Sequence, residues 1–523
     1  MDSSREAIAP TRYGRILGPY AYRPVELLEE LGFLRQEAAG PASASSPPGG
    51  SEPGRPPREP GDLAVLLDSA GGSPRLARRS FLGWHPEAHL WAKDGRIVVT
   101  TSAAEGWRRT GAAGDPFPVL REMLEERRGP IEWRGAAPED VSWVGAYGLV
   151  GYDAGRMIEV LPDTTVDDLQ IPDLDLVFPA RWLCFDHESR QVTAVAESPD
   201  VLEQIEETVS RAARRPASAY RPEVAGYSRE ESLRTESSMT RREFEDIVRT
   251  GREYVWAGDV FQTNLSQRLH MTYEGPSALL YGVLRAVNPS PFAGYLRLSG
   301  YELLSSSPER LVRLRGRVAD TRPIAGTRRR GRDFTEDGLL AEDLNLDPKE
   351  RAEHIMLVDL ERNDLGRVCE YGSVHVDELM VNERYSHVIH IVSNVTGTLR
   401  RDRDAVDLLR AMFPGGTITG CPKVRCMEII DELETVRRGA YTGSFGWFGY
   451  EGDMDVNIVI RTLVRQANDV FAQAGAGIVA DSVPEREYLE TLSKAEAMVR
   501  AVAQARALVD PRRGETAPEG ERT

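Results

Sequence analysis

The chain has 523 residues, with 65 Lys and Arg against 82 Asp and Glu, for a net charge of −17. That length admits a large core, as two domains or one large one with an appended layer, and 41% hydrophobic with 28% charged residues is ordinary for a globular chain. The acidic balance argues against a nucleic-acid partner and against an anionic membrane surface, so an anionic substrate would have to meet single local Arg or Lys residues or a metal. Cys184, Cys369, Cys421 and Cys426 form no C-x-x-C pair and no zinc-spaced cluster with His, and read as buried thiols of a reducing compartment. No apolar run has bilayer-spanning length and Met1–Glu6 opens no apolar signal core, so the expectation is a cytoplasmic protein with no membrane partner.

In chain order, residues 24–34 pattern as an amphipathic helix within a first segment 1–39. Residues 40–61, rich in Pro, Gly, Ser and Ala, read as a disordered insertion. Structure resumes at 62–70, and short strands follow at 88–92, 96–100, 143–152, 180–186 and 191–196, with helices at 116–127 and 200–213 and a polar linker near 215–235. From Thr240 a helix over 242–257 leads into a strand-like run at 260–269. Further strands are expected at 293–298, 303–306, 311–314, 374–378, 442–450, 456–464 and 470–473, and helices at 277–287, 335–361, 404–412, 422–433 and 484–507. Strands without regular β-α alternation indicate α+β with large antiparallel sheets, divided into a domain over 62–230 (with 1–39), a second over 235–507, and a polar tail at 508–523.

Several stretches carry chemical possibilities. The closing segment Ala474–Lys494 pairs a small-residue turn, Gly475 to Gly477, with a helix on which Glu487, Glu490 and Lys494 share one face. Asp481 or Ser482 could cap that helix, and Pro484 suits its first turn. Taken alone, a solvated charged face with one ion pair is the simpler reading. On the helix opened by Asp347-Pro348, with Glu350 positioned for a capping box, Glu353 is either a carboxylate facing a cleft or a surface acid paired with Lys349 or Arg351. Glu309, in Ser305-Ser-Ser-Pro-Glu309-Arg, sits in a turn at a strand end, where an acid can serve acid/base chemistry or simply face solvent. Thr321–Gly331 is a basic, Gly-containing loop. Phe413–Lys423 is a Gly-rich loop opening a helix, neither a Walker nor a Rossmann motif. Arg461, on the strand pattern 457–464, is a candidate fork for a carboxylate. His390 alternates with apolar residues and could be a core histidine. Collectively these acids, basic groups and Gly-rich loops suit a metal-assisted enzyme acting on a small polycarboxylate.

The segments Asp259–Arg268, Ser307-Pro-Glu-Arg310, Arg322-Pro-Ile-Ala-Gly-Thr327, Arg351–Asp359, His390-Ile-Val-Ser393, Thr419–Arg425, Ile460-Arg-Thr462, Ala474–Ser482 and Glu487-Tyr-Leu-Glu-Thr491 occur in this order. Together they resemble the chorismate-binding catalytic domain of anthranilate synthase component I, aminodeoxychorismate synthase component I, isochorismate synthase and salicylate synthase. Residues 140–190, with Gly148-Leu-Val-Gly-Tyr-Asp-Ala-Gly-Arg156, resemble the N-terminal part of the two amine-forming members. The resemblance implies antiparallel sheets packed in a sandwich with helices outside. It implies Mg²⁺ held by Glu353 and Glu490 with Glu487 nearby, the metal meeting the ring carboxylate of chorismate. The enolpyruvyl carboxylate would fall to the amides of Gly475, Ala476 and Gly477 with Arg461 and Tyr441, and Lys494 would add positive charge. Glu309 would protonate the departing C4 hydroxyl, His390 would lie under the ring, and Thr417, Thr419, Ala325, Gly326 and Thr327 would line the pocket.

The same resemblance bears on the nucleophile. Water-adding relatives carry a lysine base where Gln262 stands here, so the amine-forming branch is implied. The chain has no G-x-C-x-G nucleophile elbow, so ammonia from glutamine implies a separate glutamine amidotransferase subunit. Which amine forms is read from conflicting features. Ala325 replaces the nucleophilic lysine usual in aminodeoxychorismate synthases, as in anthranilate synthases. Asn288-Pro-Ser-Pro-Phe-Ala-Gly-Tyr-Leu296, Phe413–Lys423 and Asn457–Thr462 carry the aminodeoxychorismate wording, and Leu66-Leu-Asp-Ser69 keeps the serine of the feedback motif in poorly matched flanks. The reading leans to aminodeoxychorismate synthase, with anthranilate synthase as alternative and an inactive amidotransferase-binding scaffold as third.

Overall fold

The structure, a computed structural model, describes residues 11–19, 24, 27, 60–72, 76–103, 106–213, 235–384 and 388–509. The expected helix at 24–34, the insertion at 40–61, the linker near 215–235 and the tail beyond 509 lie outside these residues, apart from isolated positions.

Two antiparallel sheets are joined by two long strands, Arg79–Lys93 and Leu174–Asp186, that run through both. The first sheet continues from Arg79–Lys93 through Ala64–Asp68, Phe292–Arg297, Glu302–Ser307, Thr462–Gln466, Asp469–Ile478 and Gln262–Thr272. The second passes from Leu174–Asp186 through Gly145–Val150, Ser444–Gly449, Met454–Ile458, Arg310–Arg315 and Val318–Thr321 to Val388–Thr398. A bulge between Pro86 and Ala88 lets the long strand turn from one sheet into the other, at a proline that could not donate to the ladder. Strands from before residue 213 and after residue 235 share ladders in both sheets.

Period-two alternation divides the apolar residues of the first sheet. Val65, Leu303 and Val464 join the cluster containing Trp143, Trp182 and Trp447, while Ala64, Leu66, Leu304 and Leu463 join a second cluster under outer helices. The sandwich with outer helices is therefore the expected α+β fold.

The helices are α1 Pro116–Glu126, α2 Pro199–Ala213, α3 Arg241–Ala257, α4 Ser277–Val287, α5 Phe334–Leu346, α6 Pro348–Gly366, α7 Ala405–Met412, α8 Lys423–Leu433 and α9 Pro484–Val509. Along α9, Ala495, Met498, Val499, Val502 and Ala505 fall at helical spacing and are buried against the first sheet, in one cluster with Leu280 and Leu284 of α4. None of the described helices is long and apolar enough to cross a membrane.

Five expectations are corrected. The single helix at 335–361 is α5 and α6, broken at Asp347-Pro348, because the residue before proline is held extended. Asp347 does cap α6, accepting from Lys349 N at 2.9 Å, but Glu350 does not complete a box; it pairs with Arg328 at 3.1 Å. The loop 321–331 contains a strand, Ile324–Arg329, with a bulge at Gly326, whose φ of +67° favours glycine. Gly475 and Gly477 lie inside the strand Asp469–Ile478, opposite Ser266 and Asn264, not in a turn. Ser482 accepts from Val479 N at 3.1 Å and turns towards Glu487, and Asp481 lies 3.8 Å from Lys349, so neither was found capping α9, although Pro484 is its first residue.

Candidate active site

The site is assembled from strand ends and two helices. Glu309 follows the strand Glu302–Ser307 and precedes Arg310–Arg315, as its Ser-Ser-Ser-Pro-Glu setting suggested. It is buried, only 6% exposed, and burial pushes its carboxyl up to about 7, against the stabilising Thr417 hydroxyl, Ile324 N–H and Lys494 ammonium. Ile324 adjoins Ala325, and Thr327 pairs in the sheet with His390. The His390 ring lies 3.3 Å from the Gly326 carbonyl; burial lowers its pKa, with Arg461 adding to that shift. Glu309, His390 and the 324–327 segment therefore do meet.

Lys494 links this acid to the closing helix. Its ammonium donates to the Gly475 carbonyl at 3.0 Å and lies 2.8 Å from Glu490. Arg461 donates to the Lys494 carbonyl at 2.5 Å. Arg461 was expected within a strand; it falls between Met454–Ile458 and Thr462–Gln466 with a φ of +52°, a costly conformation for a side chain of this size. Tyr441 takes a hydrogen bond from the Gly475 N–H, and its hydroxyl is pushed up to about 12 by burial. Its neighbour Thr442 also has a left-handed backbone, φ +61°. Both residues adjoin groups that meet Gly475: Arg461 bonds the Lys494 carbonyl and Thr442 follows Tyr441.

Gly475 and Gly477 are needed for room rather than for a turn. A Cβ on Gly477 would run into the Gln262 amide, and one on Gly475 into Asn264 Oδ1 and, at 2.9 Å, the Leu265 carbonyl. Gly475→Ala is thus expected to cost about 1–3 kcal/mol, measurable by denaturant unfolding. It should also weaken substrate binding, because Tyr441 and Lys494 both bond this residue. The buried Gln262 Oε1 and Asn264 Oδ1 have no hydrogen-bond partner among the described residues, which suits a polar ligand. Thr419, by contrast, is fully buried and donates to the Gly415 carbonyl at 2.9 Å. It shapes the Gly-rich loop.

The three expected metal carboxylates are electrostatic neighbours. Burial raises the pKa of both Glu353 and Glu487, and Glu490 repels each of them. Lys349 lies 3.8 Å from Glu353, as the alternative surface pairing foresaw. Among the described residues no three Asp, Glu, His or Cys side chains converge into a closed metal cage. The donor set nonetheless fits Mg²⁺, which takes one or two carboxylates, keeps water, and completes its shell from a substrate's oxygens. The mutual repulsion of these acids is what a divalent cation would relieve.

Sequence reasoning missed Asn264, Ser482, Glu361 and the pair Asp364–Lys423. Glu361 is buried, its carboxyl pushed up to about 8 by burial and by Asp364, with Glu309 adding to the shift. Spacing could have found it: Glu353, Leu357, Glu361 and Asp364 form one stripe along α6. Ser69 and Phe292 line a separate cavity of about 460 Å³ with Trp447, which none of the site residues above enters.

A buried acid, clustered carboxylates and cationic groups around an open strand backbone define an enzyme site for a small anionic substrate. The chain belongs to the chorismate-binding enzymes, whose family model matches residues 64–500. It is 43% identical over 449 residues to aminodeoxychorismate synthase component 1 of Bacillus subtilis (strain 168), covering 84% of this chain and 91% of that one. It is 40% identical over 452 residues to anthranilate synthase component 1 of Aquifex aeolicus (strain VF5), covering 85% and 90%. The solved anthranilate synthase component I of Streptococcus pneumoniae TIGR4 superposes with a TM-score of 0.69 at 33% identity, over 81% of this chain and 92% of that one.

Proposed function

We propose that the protein aminates chorismate with ammonia from a separate glutamine amidotransferase subunit, in the cytoplasm, giving 4-amino-4-deoxychorismate. Gln262 carries the amine-forming part of this reading. Its amide lies against Gly477 in the site, and an amide cannot take a proton from water, whereas ammonia is a nucleophile without a base. The Asn288–Leu296 wording favours the 4-amino product. Ala325 offers no nucleophile, so ammonia itself displaces the hydroxyl: the C–N bond forms, the C4–O bond breaks, and Glu309 gives its proton to the departing oxygen as water leaves. The carboxylate then recovers a proton from the new ammonium. Glu353 and Glu490, with Glu487 beside them, would hold Mg²⁺. The ion would supply Lewis-acid charge for the ring carboxylate and the leaving oxygen. Arg461, Tyr441 and the Gly475–Gly477 backbone bind the second carboxylate, and Lys494 adds charge between the two.

The second reading, anthranilate formation with loss of pyruvate, is favoured by Ala325 and by relatives named anthranilate synthase component 1. The purified chain, given chorismate, Mg²⁺ and an ammonium salt at alkaline pH, is expected to yield a product that becomes para-aminobenzoate only after the lyase is added. Fluorescent anthranilate formed directly would replace this reading with the second. Unchanged chorismate, even with the amidotransferase subunit present, would leave only a scaffold role.

A further inference from the structure

The Gly-rich loop between α7 and α8 contains Gly415, Gly416 and Gly420, which offer little intrinsic rigidity. Lys423, at its end, folds its side chain back across it. The ammonium donates to the Met412 carbonyl at 2.8 Å, where the loop begins, and to Asp364 of α6 at 2.6 Å. The contact is nearly sealed from solvent, with side-chain exposures of 10% for Lys423 and 5% for Asp364. One side chain therefore ties the two ends of the 412–423 segment together and fastens both to the helix that carries Glu353. Within the tied segment, Gly416 packs against Leu360 and Glu361 of α6, and Thr417 faces the Glu309 carboxyl.

We propose that Lys423 is a positioning residue for proton transfer at Glu309, acting by clamping the 412–423 loop so that Thr417 stays against that carboxyl. The inference rests on Glu309 being the acid of the proposed reaction. A purely structural role, in which Lys423 only neutralises the buried Asp364, makes different predictions. The charged groups facing Glu309 are Lys494 from α9 and Glu361 from α6; those facing Lys423 are Asp364 and Glu361. Lys423 does not act on Glu309 directly, so its influence must pass through the loop.

The test is a double-mutant cycle of Lys423→Met and Thr417→Val in the full chain, following kcat, the KM for chorismate and the pH profile of kcat. Each single change is expected to lower kcat roughly tenfold with a much smaller change in KM. Because the Thr417 hydroxyl favours the carboxylate form of Glu309, each should also move the basic limb to higher pH. Thr417→Val should have little further effect in the Lys423→Met background, and Lys423→Arg should restore part of the loss. Asp364→Asn releases the same anchor while keeping volume, and gives the same readouts should Lys423→Met not fold. Multiplicative losses with an unmoved basic limb would overturn the proposal. A fully active Glu309→Gln variant would instead remove the acid on which it rests, whatever the cycle shows.

Discussion

Glu309→Gln is expected to lower kcat by about 10²–10⁴-fold while the chain still folds, because a positioned acid contributes about that much and Gln keeps the shape without the proton. The parent's pH dependence follows from the same environment. The acid must be protonated to act, and its carboxyl is pushed up to about 7, so turnover should fall as pH rises through about 7 once rates are normalised to free ammonia. An ordinary solvated carboxylate would already be ionised there. The parent's stability falls with rising pH as well. A folded-state pKa raised from 4.5 to about 7 means the native state holds this proton more tightly than the unfolded chain. Ionisation therefore costs stability increasingly as pH passes the ordinary carboxylate range, in full above about 7. Glu309→Gln should accordingly unfold at higher denaturant than the parent above neutral pH, with a gain of at most about 3 kcal/mol that vanishes near pH 4. Equal activity in parent and variant would remove Glu309 from the chemistry. A variant less stable at every pH would mean the carboxyl is not paying the burial cost assigned to it.

Glu490→Gln should abolish Mg²⁺-dependent turnover without unfolding the chain, since the half-exposed Glu490 packs no core. The expected loss appears first in metal binding: titration calorimetry on the parent should show a Mg²⁺ event that Glu490→Gln and Glu353→Gln each weaken by roughly tenfold or more. Glu487→Gln should do less, because Ser482 already engages that carboxylate. Full activity in Glu490→Gln would refute the metal assignment. A second consequence separates charge from ligation. Glu490 pairs with Lys494 at 2.8 Å, so the variant also frees that lysine. If the loss came only from the freed lysine, Lys494→Met in the Glu490→Gln background would restore Mg²⁺ affinity; if Glu490 is a ligand, the affinity stays where the single variant had it.

Helices with a proline start and an apolar stripe were legible to within a residue or two: Ser277–Val287 and Lys423–Leu433 are short-range objects, each preceded by a proline and marked by 3.6-residue periodicity. The strands Gln191–Ala196 and Glu302–Ser307 were legible as short runs bounded by turn residues. Errors fell where local sequence and final geometry diverge. Small residues at 474–478 look like a turn, yet they are a central strand whose missing side chains make room for Gln262, Asn264 and Tyr441. Arg328 and Arg329 look like part of a loop, yet they continue past a bulge at Gly326 in a sheet beside His390. In both, the partner strand outweighs local propensity.

By itself, the sequence determined the class of fold, the order of the family's segments, and the identity of most chemical groups, because motifs, caps and alternation are local patterns. Only the tertiary structure decided which of those groups act together. Lys494, on the closing helix, touches Gly475 of the neighbouring strand and faces Glu309, which lies far earlier in the chain. Burial, a property of the packed sheets, decided that Glu309 is a neutral-pH acid and that Glu361 stands behind it. The physical reason is that proton affinity and metal affinity depend on desolvation and on neighbouring charge, and both are set by contacts between distant segments.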